Sequence, residues 1–393
     1  MTTTAAPPQA EAPARRQVTV AVAAAGISSF ALLYAPQPVL PQLAERFHLD
    51  PGGASLAVSV ATGALAVSVL PIATLSEVIG RRRVILASVV SSVLLGLALP
   101  FAPNFPVLLG LRALQGIAIA GFAGVAAAYL AERLGKAGVA AAVGAMIAGN
   151  TVGGMLGRLS SGFTADWLGW PGSLGVTAGL ALVCALLTVL TLPKSDASPG
   201  KAPLSGLRAA LSSRVLLAQY SVALLAMGSF VALYNAAGFR LSGEPLDLPP
   251  AIASLVFLAY AMGTFTSGYA GRLVARFGRI RSVSAALVIT VLGATLTIVD
   301  SLICVAVGFV VLTGGFFAAH AVANGWAAAE APPGARGQVG GLYTLAYYLG
   351  SSIGGTVGAT VYGHAGWAWL IALVSAWLLL ALLISVLAAR SRR

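Results

Sequence analysis

Two sets of residues in this sequence have types and spacings that can do chemistry. The first is charged. Glu77, Gly80, Arg81 and Arg82 stand together in the stretch Ala73 to Arg83, ATLSEVIGRRR, and Glu132 follows; Arg279 and Glu330 take matching places in the second half of the chain. Acids and arginines so placed make ion pairs and helix-terminus contacts. Arg81 can pair with Glu132 and Arg279 with Glu330. Glu77 can sit by the N-terminus of a helix beginning near Gly337, where the helix dipole favours an anion. An exposed pair contributes only ~0–1 kcal/mol, which suits a latch between two nearly balanced states. Such contacts would hold while a cavity is open on the far side and break as it opens on theirs. The plainer role of the arginines is to set topology, for which Glu77 is not needed.

The second set is polar and lies inside apolar stretches: Tyr34, Gln37, Arg112, Gln115, Asn150, Arg158, Tyr234, Asn235, His320, Asn324, Tyr343 and Tyr347. Amphipathic aromatics and amides bind hydroxyl-bearing or amphiphilic solutes well, and each singly serves equally as a helix–helix hydrogen bond. A charge such as Arg112 within an apolar stretch faces a bundle interior or a water-filled path, or else snorkels to the headgroups, and the same choice holds for Arg158. A histidine can titrate near neutral pH, so His320 is a candidate proton carrier, although a lone histidine is more often structural. No Asp or Glu lies in the middle of any of these stretches. A path with arginines and a histidine but no acid favours neutral or anionic solutes.

Catalytic chemistry is not indicated. The chain has no H-E-x-x-H pair and no paired carboxylates at a membrane surface. Cys184 and Cys304 lie inside apolar stretches and read as small core residues, so neither a disulfide framework nor a metal site is expected. The reading is a protein that binds a small molecule, with no cofactor and no enzymatic activity.

The elements that position these residues must be membrane spans. Charged residues make up 9% of 393 and apolar ones 58%, whereas a soluble domain carries roughly 25% charge. Spans of about 20 residues are expected at 17–39, 52–76, 83–101, 105–132, 137–162, 170–193, 214–238, 250–274, 281–299, 302–329, 337–362 and 367–389. The net charge of +12 could point to nucleic acid. It is better explained by positive loops held on the cytoplasmic side: of the 23 Lys and Arg residues, only Arg46, Arg112, Arg158 and Arg240 fall outside links assigned to that side. Both termini are therefore expected in the cytoplasm. Residues 1–16 read as a disordered N-terminus, 17–193 and 214–393 as two six-helix bundles, and 194–213 as a cytoplasmic linker.

The halves repeat. Ser29-Phe30 and Leu33-Tyr34 recur as Ser229-Phe230 and Leu233-Tyr234, Gly80-Arg81 as Gly278-Arg279, and Glu132 as Glu330. Gly149, Gly153, Gly154 and Gly157 recur as Gly350, Gly354, Gly355 and Gly358. Six spans per copy give parallel repeats, the arrangement of alternating-access transporters. Glycines four apart share one helix face and allow close approach. These faces are either ordinary helix packing or a gliding contact between the halves, and the spacing does not separate the two.

From about Arg15 to Arg393 the pattern resembles the major facilitator superfamily. The loop signature G-x-L-a-D-r-x-G-r-r falls on Ala73, Leu75, Glu77, Gly80, Arg81 and Arg82, with Ala73 for glycine and Glu77 for aspartate; Gly271, Leu273, Gly278 and Arg279 repeat it, with Ala275 in place of the acid. Arg112, Gln115 and Gly116 are similar to the R-x-x-Q-G motif of proton-linked members. The stretch G-N-x-x-G-G-M-x-G-R, from Gly149 to Arg158, resembles the YnfM-like branch of the drug:proton antiporters, as do Phe316 to Asn324 and Gly341 to Thr356. The resemblance implies an all-α membrane protein of twelve transmembrane helices in two pseudo-symmetric bundles. It further implies a monomeric, proton-coupled exporter in the bacterial inner membrane. An importer or uniporter of the same fold is the nearest alternative. A channel fits poorly, since it would more naturally be built of symmetric subunits, and a scaffold or receptor would not need the charged hinge.

Overall fold

The computed structural model describes residues 12–193 and 206–390, without the side chains of 12–14 and 135–137. Most of the expected N-terminal tail and of the linker, with Lys194 and Lys201, lies outside the described residues. The regular structure among the described residues is helical: α1 Ala12–Tyr34, α2 Leu40–Phe47, α3 Pro51–Ile79, α4 Arg81–Ala98, α5 Phe105–Thr191, α6 Gly206–Ser212, α7 Arg214–Ser242, α8 Pro250–Ala253, α9 Tyr260–Phe277, α10 Arg279–Leu296, α11 Leu302–Ala329, α12 Arg336–Ala365 and α13 Trp367–Arg390.

The helix boundaries follow from local chemistry. Asp50, before Pro51, caps α3 by accepting from the Gly53 N–H at 2.7 Å, and Asn104 caps α5 through the Val107 N–H at 3.0 Å. Gly80 and Gly278, at φ +94° and +80°, end α3 and α9 and start the next helix at once; only glycine adopts that backbone without strain. The first span was expected to reach residue 39 but stops at Tyr34, because Pro36 and Pro38 break the helix and Ala35 precedes a proline. The short helix α2 then lies across the end of the bundle with Leu40 and Leu43 inward, and α6 occupies the described end of the linker.

Among the described residues, ten helical stretches are long and apolar enough to cross a bilayer. One of them, 138–191, turns back at Gly169, where φ is +61° and Pro171 follows; the Ser160 and Thr177 hydroxyls meet across that turn at 2.9 Å. Thus α5 makes three passes, 105–134, 138–168 and 170–191. The less apolar α12 completes the set, packed along α7 and α3.

Small residues decide this packing. A Cβ on Gly149, Gly153 or Gly157 would meet the backbone of Ala23, Ile27 or Ala31 of α1, and a Cβ on Gly350 or Gly354 would meet that of Leu224 or Gly228 of α7, with Gly358 against Ala232. The partners repeat with the glycines. Each glycine face packs within its own half, so the gliding-contact reading is corrected. Backbones this close leave no room for relative sliding. The contacts between halves lie elsewhere: Gly52 against Thr360, Gly63 against Ser352, and the Ser352 hydroxyl donating to the Ser59 carbonyl at 2.7 Å. Buried apolar side chains form two clusters, one from Val18 to Leu192 with Tyr348 added, the other from Ala210 to Ala381.

Candidate functional site

A cavity of about 560 Å³ lies between the two clusters. Tyr34, Arg158 and Tyr260 line its deep end, and His320, Asn324, Tyr343 and Tyr347 one wall. At the deep end the halves close on each other. Gly162 abuts Ser254 and Pro38, Gly238 abuts Pro41, and Gly363 abuts Pro51. The Gln37 amide donates to Asn235 Oδ1 at 2.7 Å across the same junction. At the other end the second pass of α5 and α9 diverge, and the positions beside Gly144 and Gly268 are open space. The cavity therefore opens towards the Gly80 and Gly278 turns.

Seven of the expected path residues line this cavity: Tyr34, Asn150, Arg158, His320, Asn324, Tyr343 and Tyr347. Arg158 is 1% exposed. Its Nε donates to Gln37 Oε1 at 2.5 Å and its Nη1 to the Gly154 carbonyl at 2.8 Å, with the guanidinium 4.0 and 4.4 Å from the ring centroids of Tyr34 and Tyr260. Gln37 and Asn235 thus continue the site into the closed junction. The Tyr343 hydroxyl lies 3.0 Å from His320 Nδ1 and 3.2 Å from the His320 carbonyl, and the Tyr347 ring packs on the imidazole at 4.7 Å. Where that hydroxyl donates to the carbonyl it accepts from Nδ1, leaving Nε2 as the basic atom of the ring.

Three expected path residues are placed elsewhere. Arg112 is fully buried within the first half, where its Nε donates to the Ala57 carbonyl at 2.6 Å, Nη1 to the Leu32 carbonyl at 3.0 Å and to Gln115, and Nη2 to the Leu33 carbonyl at 2.5 Å. Neither Arg112 nor Gln115 lines the cavity. The carbonyls at the end of α1 have no partners further along that helix, and the arginine supplies them. Tyr234 is also fully buried, bonded to Thr313 at 2.7 Å and packed behind the wall on Phe230 and Tyr260.

The charged residues pair inside each half. Arg81 bonds to Glu132, to the Ala128 carbonyl at 3.2 Å and to Glu77 at 3.5 Å; Arg82 Nε donates at 3.1 Å to the Leu192 carbonyl; Arg279 pairs with Glu330 at 3.0 Å. Here the latch reading needs correction. Both Arg–Glu pairs are formed while the cavity is open on their side, because each bridges helices of one half and is not strained when the halves part. Among the described residues Glu77 makes no ion pair or hydrogen bond with the start of α12, and the position beside Gly337 is open.

Cavity residues that sequence reasoning did not select include Phe30, Met227, Phe230, Tyr260, Phe317 and Tyr348, together with the hydroxyls of Thr151, Thr264, Ser267 and Thr344. The one available signal was duplication, since Phe30 and Phe230 are repeat-related and both face the space.

A family model described as Major Facilitator Superfamily matches residues 22–263 and 241–393. The chain is 35% identical over 384 residues to the uncharacterized MFS-type transporter YybF of Bacillus subtilis (strain 168), covering 96% of this chain and 95% of that protein. It is 35% identical over 373 residues to the inner membrane transport protein YnfM of Escherichia coli (strain K12), covering 94% and 89%. Among solved structures, a bacterial homolog of the human lysosomal transporter Spinster, inward-facing and unoccupied, aligns with a TM-score of 0.82 at 17% identity, covering 97% of this chain and 98% of that one. That likeness carries the fold alone. With the helical architecture and the central cavity, these matches make the chain a member of the major facilitator superfamily, a multi-pass membrane transporter that works by alternating access.

Proposed function

We propose that this transporter exports a small neutral or anionic organic solute across the bacterial inner membrane in exchange for protons, as a monomer with both termini in the cytoplasm. The observation that supports it best is the cavity: closed at one end, open at the arginine-rich end, and lined by aromatic and amide groups with Arg158 and His320 but, among the described residues, no carboxylate. A solute entering from the positive side would meet no acid to hold a cation. The bundles 17–193 and 214–393, joined through 194–213, would rock about this space. Arg81–Glu132 and Arg279–Glu330 would brace the rim of each bundle, and Glu77 would meet the N-terminus of α12 only when the rim closes. His320, hydrogen-bonded to Tyr343 at the wall, is the group proposed to carry the proton.

The test is transport by purified protein in vesicles, with a panel of radiolabelled sugars, organic acids and dyes. Counterflow by a neutral or anionic solute, with protons moving opposite to it, is the expected result. Protons moving with the solute would make the protein a symporter, and solute movement without protons a uniporter. Counterflow restricted to cationic dyes would overturn the substrate class.

A further inference from the structure

Arg158 is held in place without being neutralised. Its partners are an amide oxygen, a backbone carbonyl and aromatic faces, and no ion pair reaches it among the described residues. Nη2, the remaining corner of the fork, has no hydrogen-bond partner among the described residues, and the side chain lines the cavity. A desolvated arginine with neutral partners pays a penalty that an incoming anion relieves, and the guanidinium fork matches the two oxygens of a carboxylate. Besides the polar wall of His320, Asn324 and Tyr343, the aromatic rings of Phe30, Phe230 and Phe317 face the same space and give it an apolar side. The volume is in the range for a small drug-sized ligand.

We infer that Arg158 is the anion-binding residue for the transported solute, and that the solute is an amphipathic monoanion: one carboxylate or similar oxyanion on an apolar, ring-sized body. This inference rests on the transporter reading and narrows its substrate class. A single charge follows because, among the described residues, no other Lys or Arg lines the cavity. The relay beyond Arg158 adds a consequence. Gln37, which accepts from Arg158 Nε, donates to Asn235 across the closed junction. An anion that draws the guanidinium from Gln37 loosens that junction, so occupancy favours the exchange of access.

The test is binding to the purified full chain in detergent, followed by thermal stabilisation, with benzoate, 3-phenylpropionate, 2-naphthoate and decanoate. Each is compared with its primary amide and with the amine of the same skeleton. At least one carboxylate should bind at least tenfold tighter than its amide, with the amine weakest. In Arg158→Gln the preference should collapse to within about twofold, while Arg158→Lys keeps part of it. Equal binding of acid and amide by the wild type, or no binding by any acid, overturns the inference even if Arg158→Gln fails to fold. So does a preserved preference in a folded Arg158→Gln protein. Vesicle counterflow separates this from the broader reading: transport of neutral solutes without acid preference leaves the transporter standing and removes the anion site, whereas a preference without counterflow does the reverse.

Discussion

At the scale of single residues, two buried arginines look alike in the sequence and differ in what they touch. Arg112 spends its donors on carbonyls of α1 and α3 and on Gln115, whereas Arg158 leaves part of its fork towards the cavity. Arg112→Lys keeps the charge but loses the planar geometry and at least one or two charge-assisted hydrogen bonds, each contributing about 1.5–3 kcal/mol. Thermal unfolding in detergent should show a loss of about 2–4 kcal/mol, with counterflow per folded molecule unchanged. Reduced counterflow at unchanged stability would return Arg112 to the solute path. The residue types were legible beforehand and their facing was not. In a soluble helix the polar face marks the outside, but here the lipid-facing and packed faces are both apolar, so Arg112 and Arg158 carry no directional signal. Phe317 and Met227 were harder still, since a cavity-facing aromatic or thioether reads the same as one facing lipid.

Elements pack here by what is missing from them. The second pass of α5 runs along α1, and α12 along α7, because glycines recur every four residues on the touching faces. A Cβ on Gly153 would sit 2.5 Å from the backbone of Ile27, too close for any side chain without parting the helices. Gly153→Val and Gly354→Val should each destabilise the protein by at least the ~1–3 kcal/mol of ordinary overpacking, seen as lost monodisperse protein after extraction. Gly144→Ala and Gly268→Ala meet open space and should be neutral or stabilising by up to ~1 kcal/mol, as alanine is the better helix former. Equal damage at all four positions would refute the packing assignment. The duplicated G-x-x-x-G-G stretch, Gly149 to Gly154 and Gly350 to Gly355, showed that two equivalent faces exist. It could not name their partners, because Ala23, Ile27 and Leu224 belong to no pattern distinguishable from the apolar residues around them. The charged hinge was more legible. Gly80 and Gly278 turn as the Gly-Arg dipeptides imply, and Arg81 and Arg279 reach Glu132 and Glu330 over the same sequence separation of 51.

For the whole molecule, the number of crossings and their duplication could be read from length, charge and repeats, whereas the state of access could not. The residues that distinguish an open from a closed end are glycines, serines, threonines and prolines meeting across the halves, and they are unremarkable in a chain this rich in small residues. The charged groups misled for a related reason: pairs formed inside a half survive in either state, so only a group that crosses the divide can report which end is open. Glu77 is such a group if it meets the start of α12 when the rim closes. A carboxylate at a helix N-terminus contributes about 0.3–1 kcal/mol, so Glu77→Ala should shift the ratio of the two states about two- to fivefold towards the form open at the rim. Labelling of Asn150→Cys from the arginine-rich side would rise accordingly, and an unchanged rate would exclude Glu77 from the latch. The closed junction offers the stricter test. Gly162 and Ser254 face each other across it closely enough that a Cβ on the glycine would collide with the serine side chain, so cysteines at both positions need only a small parting to reach disulfide geometry. Gly162→Cys with Ser254→Cys should cross-link on oxidation, stop counterflow, and regain it on reduction, while Asn150→Cys in the cross-linked protein stays open to reagents from the arginine-rich side and closed to those from the other. Counterflow that continues at the wild-type rate with the bond in place would mean that the halves never part at this junction, and the rocking scheme would have to be abandoned.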